Sequence, residues 1–276
     1  GFDTYFGIPY SNDMTGRKDG SRPPLPLMRN ERVIEAPVDQ TRLTERYTQE
    51  TIRFIQQHQR DSFFIYLPHT FPHVPLFAGV QHKGKSKNGL YGDVIEELDT
   101  STGAILNTLR KLGLDRRTMV IFTSDNGATG GKGRSNGPLR GAKGTTWDGG
   151  MREPFVAWWP GQIPSSSTSD ALTSTMDLLP TLAHLADADI PTDHTLDGLN
   201  IWPILKRPAQ ATSPHDYFYY YQMQQLQALR DERWKLHLPL VPKLRNWGKP
   251  EAESPLMLFD LQADIAESSN VANEQP

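Results

Sequence analysis

The chain has 276 residues, a formal net charge of −3 and no cysteine. This length can bury one large core and leaves room for a small second domain. The absence of cysteine excludes disulfides, thiolate metal sites and a cysteine nucleophile within these residues. The weak negative charge does not favour nucleic acid or an anionic membrane as a partner, and no apolar run approaches the roughly 20 residues that span a bilayer.

The chain begins at Gly1, without a methionine or an export signal, and its first residues are typical of the middle of a domain. We therefore interpret it as a fragment or a processed product. It also contains no Asn-x-Ser/Thr glycosylation site. Together with the lack of cysteine, this fits a bacterial protein better than a eukaryotic secreted one.

Two helices and three short buried strands are predicted in the first 160 residues. Residues 44–58 carry apolar side chains at helical spacing, and so do residues 93–112, which Gly113 would terminate. The predicted strands are apolar runs that are too short for helices, at residues 62–67, 119–122 and 154–159.

The order strand, helix, strand between Phe63 and Thr123 predicts a βαβ unit. Its two strands should be parallel, with a right-handed crossover. Ligands of open α/β sheets bind outside the carboxyl ends of the strands. We therefore expect the loops after both strands to open on the same edge of one sheet.

Asp125 and Asn126 come directly after the strand 119–122, and Gly127 allows the chain to turn away. A carboxylate and an amide oxygen are hard donors that suit Ca²⁺ or Mg²⁺. The alternative is an ordinary turn, because Asp, Asn and Gly are common turn formers. A metal site and a turn both remain open at this point.

Two further residues are candidates for binding an anion. Lys143 lies between glycines that let its backbone approach a ligand closely, although such a lysine can equally be solvated at the surface. His73 lies in a proline-rich loop after the strand 62–67 and could donate a proton or bind an anion. The alternative for His73 is a loop histidine that is satisfied by backbone or water.

The C-terminal part has a different pattern. Strand-like segments at residues 217–221, 227–230, 234–237 and 256–261 predict a small antiparallel sheet. We place a domain boundary before it, which gives a larger domain of residues 1–209 and a C-terminal α+β subdomain of residues 210–276.

These motifs resemble the sulfatase family, closest to the arylsulfatase A type, and they occur in the family's order over nearly the whole chain. The matching segments include G-F-D-T-Y-F-G-I-P-Y, F-F-I-Y-L-P-H-T-F-P-H-V-P, V-I-F-T-S-D-N-G, and P-L-R-G-A-K-G-T-T-W-D-G-G-M-R-E-P.

The resemblance implies an alkaline-phosphatase-like α/β fold, with a central, mostly parallel sheet flanked by helices and a small C-terminal antiparallel sheet. It implies that Asp125 and Asn126 ligate a divalent cation, usually Ca²⁺ with Mg²⁺ as the alternative. Lys143 would contact the sulfate, and His73 would act at the sulfate and leaving-group side; His69 has no such counterpart.

The chain departs from the family in one respect. Sulfatases use a formylglycine made in a C/S-x-P-S-R motif, together with an upstream acidic pair, and neither is present here. In the family these parts precede the segment with which this chain begins. We therefore expect the nucleophile to lie outside this chain and the isolated chain to be inactive.

The resemblance predicts hydrolysis of a sulfate monoester, with a small molecule or a glycan as the substrate. It also predicts export to the periplasm or the extracellular space. Two alternatives stay open, a related phosphoester or phosphonate hydrolase and a non-catalytic sulfatase-like binding protein. The sequence specifies neither the ester nor the oligomeric state.

Overall fold

The computed structural model describes residues 1–16, 21–131, 134–240 and 254–275. The chain divides into two compact units, residues 1–118 and residues 119–276. The domain boundary predicted after residue 209 stays a prediction.

The first unit combines a small sheet with two helices. Its antiparallel strands are β1 (Phe6–Gly7), β2 (Leu27–Arg29) and β3 (Arg32–Glu35), and its helices are α1 (Leu43–Gln57) and α2 (Gly89–Lys111). Both helices confirm the sequence prediction, and Gly113 follows α2 with a positive φ of 65°. The core contains the buried side chains of Leu25, Leu27, Leu43, Tyr47, Phe71 and Val94.

The second unit contains β4 (Val120–Thr123), α3 (Asp148–Met151), β5 (Phe155–Trp158), α4 (Leu178–Leu185) and α5 (Trp202–Lys206). Four strands follow: β6 (Phe218–Gln222), β7 (Gln225–Arg230), β8 (Trp234–His237) and β9 (Met257–Asp260). They form one antiparallel sheet in chain order, which confirms the predicted C-terminal meander.

The predicted βαβ unit is not found among the described residues. Residues 62–67 belong to no strand, and β4 pairs antiparallel with β5, with Val120 opposite Trp158. The predicted burial of these segments is also wrong, since Phe122 is 42% exposed and Val156 is 59% exposed. A two-stranded ladder cannot cover its own two faces, so apolar composition alone does not bury it.

The four-stranded sheet has two unlike faces. One face carries partly exposed apolar residues, among them Leu229 on β7 and Leu236 on β8, which are cross-strand partners. The other face is more deeply buried but carries charged and polar residues, including the buried Arg230, Lys235 and His237. The polar face is therefore the one turned into the second unit.

No helix in the described part of the chain is both long enough and apolar enough to cross a membrane.

Candidate functional site

The first element of the candidate site is the end of strand β4. Asp125 is exposed and Asn126 is partly buried, and the Asn126 amide donates a hydrogen bond to the Asp125 carboxylate, with Nδ2 and Oδ2 2.5 Å apart. The Ser124 hydroxyl donates to the Asn126 carbonyl oxygen. The segment therefore forms a turn, and this turn places the oxygen-bearing side chains of Asp125 and Asn126 next to each other.

Backbone contacts join this strand end to a second segment, residues 140–150, here called the lysine loop. The Gly127 N–H donates to the Gly150 carbonyl oxygen at 3.2 Å. A Cβ on Gly127 would lie 1.9 Å from the Gly149 carbonyl oxygen, well inside contact distance. Only glycine allows the two backbones to approach this closely.

Lys143 lies on the lysine loop and is fixed by its own backbone. Its N–H donates to the Ala128 carbonyl oxygen at 3.1 Å. The Asn136 side chain adds a clamp, since its amide donates to the carbonyl oxygens of Ala128 and Gly141 and its oxygen accepts from the Ala128 N–H. The Lys143 ammonium forms no hydrogen bond or ion pair with the residues that the structure describes, so it is available to a ligand.

Glu153 is a site residue that the sequence reasoning did not single out. Burial, and then the nearby negative charge of Asp125, raise the pKa of Glu153 to about 7. Its Oε1 is buried without a hydrogen-bond partner among the described residues. The M-R-E-P stretch was the available signal, but nothing in the sequence places its glutamate beside Asp125.

The residues around Asp125 fit part of a divalent-cation site. Asp125 and Asn126 supply hard oxygen donors, and a second carboxylate, Glu153, lies close enough for the Asp125 charge to raise its pKa. A cation beside them would relieve the repulsion between two like charges. The described residues hold no group of three or more metal-ligating His, Cys, Asp or Glu side chains, and Ca²⁺ takes about six to eight oxygens. The set is therefore partial.

His73 lies in the first unit, in the loop predicted for it, and is exposed. Its Nδ1 lies 2.6 Å from the Val74 carbonyl oxygen. Because a carbonyl can only accept, this contact places a proton on Nδ1 and directs Nε2 away from its own backbone. The nearby Asp13 carboxyl has a lowered pKa, mainly through the Ser11 hydroxyl and in smaller part through His73.

His69 differs from His73, although both lie in one loop. Burial lowers the pKa of His69 to about 4, and its Nδ1 is buried without a hydrogen-bond partner among the described residues. Its ring lies 6.5 Å from that of Tyr47. His69 is therefore a neutral packing residue, in agreement with its lack of a counterpart in the family motif.

Three of the four predicted site residues belong to one unit. Asp125, Asn126 and Lys143 lie on segments that are hydrogen-bonded to each other through Gly127, Ala128 and Gly150. His73 belongs to the other unit, so its convergence with these three residues stays a prediction.

Comparison with known families agrees with this geometry. The Sulfatase family model matches residues 1–188, more than half of the chain. The chain belongs to the sulfatase family. A second model, the N-sulphoglucosamine sulphohydrolase C-terminal region, matches residues 142–276 and so includes most of the lysine loop and the four-stranded sheet.

Curated relatives of this sulfatase chain act on chemically different esters, as their names indicate. N-acetylgalactosamine-6-sulfatase of Mus musculus is 40% identical over 254 residues, which are 86% of this chain and 48% of the relative. Steryl-sulfatase of Homo sapiens is 39% identical over 212 residues, which are 74% of this chain and 36% of the relative. The chain therefore spans about half the length, or less, of these relatives.

A solved structure shows the fold. The PsFucS1 sulfatase from Pseudoalteromonas sp. superposes with a TM-score of 0.87 over 100% of this chain and 62% of that one, at 24% identity. The predicted fold class is thereby confirmed: the chain has the alkaline-phosphatase-like fold of sulfatases with a small C-terminal antiparallel sheet.

Proposed function

We propose that the protein containing this chain hydrolyses a sulfate monoester to an alcohol or phenol and sulfate. One observation carries the proposal. In this chain of the sulfatase family, backbone hydrogen bonds join the loop of Lys143 to the strand end that bears Asp125 and Asn126. The Lys143 ammonium has no partner among the described residues. An unpaired cation beside oxygen donors is an arrangement that can receive an anion together with a divalent cation.

Lys143 binds and orients the sulfate group. The lysine ammonium is a compact charge on a flexible side chain, so it can stay close to an oxygen of the substrate while the ester bond breaks. Because charge on the sulfuryl oxygens is redistributed as the S–O bond breaks, a fixed cation there stabilises the transition state. The backbone hydrogen bond from Lys143 to Ala128 fixes the main chain from which this side chain extends, before substrate arrives.

Asp125 and Asn126 contribute oxygen ligands to a divalent cation, Ca²⁺ with Mg²⁺ as the alternative, and Glu153 lies close to them. That cation would neutralise charge on the bound sulfate, and a formylglycine outside this chain would supply the nucleophilic oxygen. The isolated 276-residue chain is therefore inactive in this proposal.

His73 protonates the departing oxygen of the ester. Its Nδ1 is occupied by the Val74 carbonyl oxygen, so the protonated ring donates through Nε2. The substrate is a small-molecule or glycan sulfate ester. Export from the cell remains part of the proposal.

The test uses the full-length protein, assayed for sulfate release from an aryl sulfate and a sugar sulfate. The matching phosphate ester and a phosphonate monoester are assayed as alternative substrates. We expect sulfate release, and we expect Asp125→Ala to lower both activity and bound Ca²⁺ measured by elemental analysis. Asp61→Ala, at an exposed acid of the first unit, is the control and should change neither.

Turnover of only the phosphate or phosphonate ester would establish the alternative hydrolase. No turnover of any ester by a folded full-length protein would overturn the enzymatic proposal in favour of a binding protein. An unchanged metal content in Asp125→Ala would remove Asp125 from the cation site.

A further inference from the structure

The lysine loop is held on its other side by a cluster of buried charges. Lys235 on β8 lies between two carboxylates, with its Nζ 2.6 Å from Asp148 Oδ1 and 2.9 Å from Glu267 Oε1. All three side chains have 0% exposure. We call Asp148, Lys235 and Glu267 the buried charge cluster.

Further partners complete the cluster. Arg230 Nη1 and Arg152 Nη1 lie 3.3 Å and 3.9 Å from Asp148 Oδ2, so three cations, including Lys235, face the two carboxylates. Burial opposes ionisation of Glu267, but hydrogen bonds from His237, Lys235 and the Asp148 N–H hold its pKa below the usual value. Burial lowers the pKa of His237, so its neutral ring donates from Nε2 to Glu267 Oε1 at 3.0 Å. The described donors and acceptors of the cluster are therefore satisfied.

The cluster grips the lysine loop through main-chain as well as side-chain atoms. Glu267 Oε2 accepts the Asp148 backbone N–H at 2.8 Å, and the Glu267 carbonyl oxygen accepts from Arg140 Nη1 at 2.7 Å. The Trp147 ring stacks on His237 with centroids 4.0 Å apart, and the Arg140 guanidinium lies 3.7 Å from the Trp147 ring centroid. Residues at both ends of the loop are thus fixed to Glu267, and Trp147 is also stacked on His237 of strand β8.

The same loop carries Lys143 on its site side. Thr146, three positions after Lys143, donates a buried hydrogen bond to Gln227 Oε1 at 3.0 Å. The Gly149 N–H donates to the Arg140 carbonyl oxygen at 2.7 Å and closes the loop between its two anchored ends. The loop has little freedom to move Lys143 relative to the sheet.

We propose that Asp148, Lys235 and Glu267 are positioning residues for the sulfate-binding lysine, so that the C-terminal sheet sets the reach of the Lys143 ammonium. This inference rests on the proposed function of Lys143. Buried ion pairs are weak evidence for stability, because well-packed apolar residues often replace them without loss. Fixed, directional contacts to both ends of a ligand-binding loop are what a positioning role requires.

The test is a double-mutant cycle on kcat/KM in the full-length protein, normalised to the folded fraction from circular dichroism. Glu267→Gln replaces one carboxylate oxygen, which accepts hydrogen bonds, by an amide group that donates them. That amide group would face donors of the cluster, such as Lys235 Nζ or the Asp148 N–H. We expect Lys143→Ala to lower kcat/KM by about 100-fold and Glu267→Gln to lower it by about 10-fold. In the Lys143→Ala background, Glu267→Gln should have less than about a twofold effect.

An equal effect of Glu267→Gln in both backgrounds would overturn the positioning role, because a general structural defect acts whether or not Lys143 is present. Thr146→Val removes one tether at nearly constant volume and serves if Glu267→Gln does not fold. It should show the same dependence on Lys143, and independence again overturns the inference. Arg233→Gln, which breaks the exposed Arg233–Asp260 pair in the same sheet, is the control and should leave kcat/KM within about twofold.

Hydrogen exchange separates this inference from the proposed function. In Glu267→Gln, the amides of Lys143 and Gly149 should exchange at least about tenfold faster, with amides of α4 unchanged. If the unmodified full-length protein hydrolyses no sulfate ester, the proposed function fails and the exchange measurement still decides the inference. Unchanged exchange at both amides refutes it.

Discussion

Two lysines are associated with the same loop, Lys143 as one of its residues and Lys235 as a partner of its Asp148, and their surroundings differ. Lys235 is fully buried between Asp148 and Glu267, so its charge is already paired without a ligand. Lys143 is only partly buried, and its ammonium has no such partner among the described residues. Burying a charge is costly unless its partners are already in place. Lys235 has such partners within the chain, whereas Lys143 remains available to a ligand.

This difference shows why the type of residue alone does not assign a role. Both lysines lie in segments that match family models. What distinguishes them is the charge that surrounds each one. The same substitution should therefore act mainly on stability at Lys235 and mainly on activity at Lys143.

The largest effect is expected for Lys235→Met in the full-length protein. Removing this cation leaves Glu267 without its paired cation and Asp148 with only Arg230 and the more distant Arg152, so the free energy of unfolding should fall by about 3–5 kcal/mol. Lys143→Met should change it by less than about 1 kcal/mol while abolishing most of the activity. Urea denaturation of both variants measures this. Equal stability losses would show that the two lysines do not differ as described.

A smaller effect is expected at the contact between the strand end and the lysine loop. Gly127→Ala places a Cβ 1.9 Å from the Gly149 carbonyl oxygen, so the two backbones must separate. We expect a loss of about 1–3 kcal/mol in the free energy of unfolding, accompanied by lower activity.

The matched control is Gly103→Ala in α2, where an added Cβ meets no atom within 4 Å. Alanine is the better helix former, so this change should stabilise the protein by about 0.5–1 kcal/mol. The measurement is the melting temperature of the two variants. If Gly127→Ala were as stable as Gly103→Ala, the close backbone contact at Gly127 would be contradicted.

The smallest effect concerns pH and the buried side of the loop. Burial lowers the pKa of His237 in the folded protein, whereas an unfolded histidine titrates near 6.5. Below about pH 6.5 the unfolded chain binds the extra proton first, so the stabilisation by neutral His237 is present above that pH and lost as the pH falls. One such group changes stability by at most about 1.4 kcal/mol per pH unit.

His237→Gln keeps a donor for Glu267 but does not titrate, so it should flatten the loss of stability between pH 6.5 and 5. Other histidines, including His69, contribute equally to both proteins and cancel in the difference. The measurement is the melting temperature as a function of pH, and parallel curves for the two proteins would contradict the assignment.

The sequence predicted the elements whose signals are local. The helical spacing around Tyr47 and Thr51 and the stripe in residues 93–112 correspond to α1 and α2, and the strand-like segments at residues 227–230 and 234–237 correspond to β7 and β8. These predictions succeeded because spacing and turn chemistry are properties of neighbouring residues. The loop that carries Lys143 was recognised from its glycines for the same reason.

Burial and long-range pairing could not be predicted in this way. The apolar runs at residues 62–67 and 154–159 indicated buried strands, but what covers a strand is not encoded in the strand. In W-K-L-H, the inward residues are Lys235 and His237, the reverse of an apolar core pattern. Their partners Asp148 and Glu267 are distant in sequence, and so the cluster gave no local signal; Glu153 beside Asp125 was missed for the same reason.

The bond between the Asp148 N–H and the Glu267 carboxylate joins residues 119 positions apart in sequence. A ribosome adds residues from the N-terminus at about 5–20 per second, so Lys143 emerges several seconds before the carboxylate that completes its support. The lysine loop can therefore reach its final shape only after residue 267 has been synthesised. A nascent chain of this protein would carry all four predicted site residues and still lack a finished site.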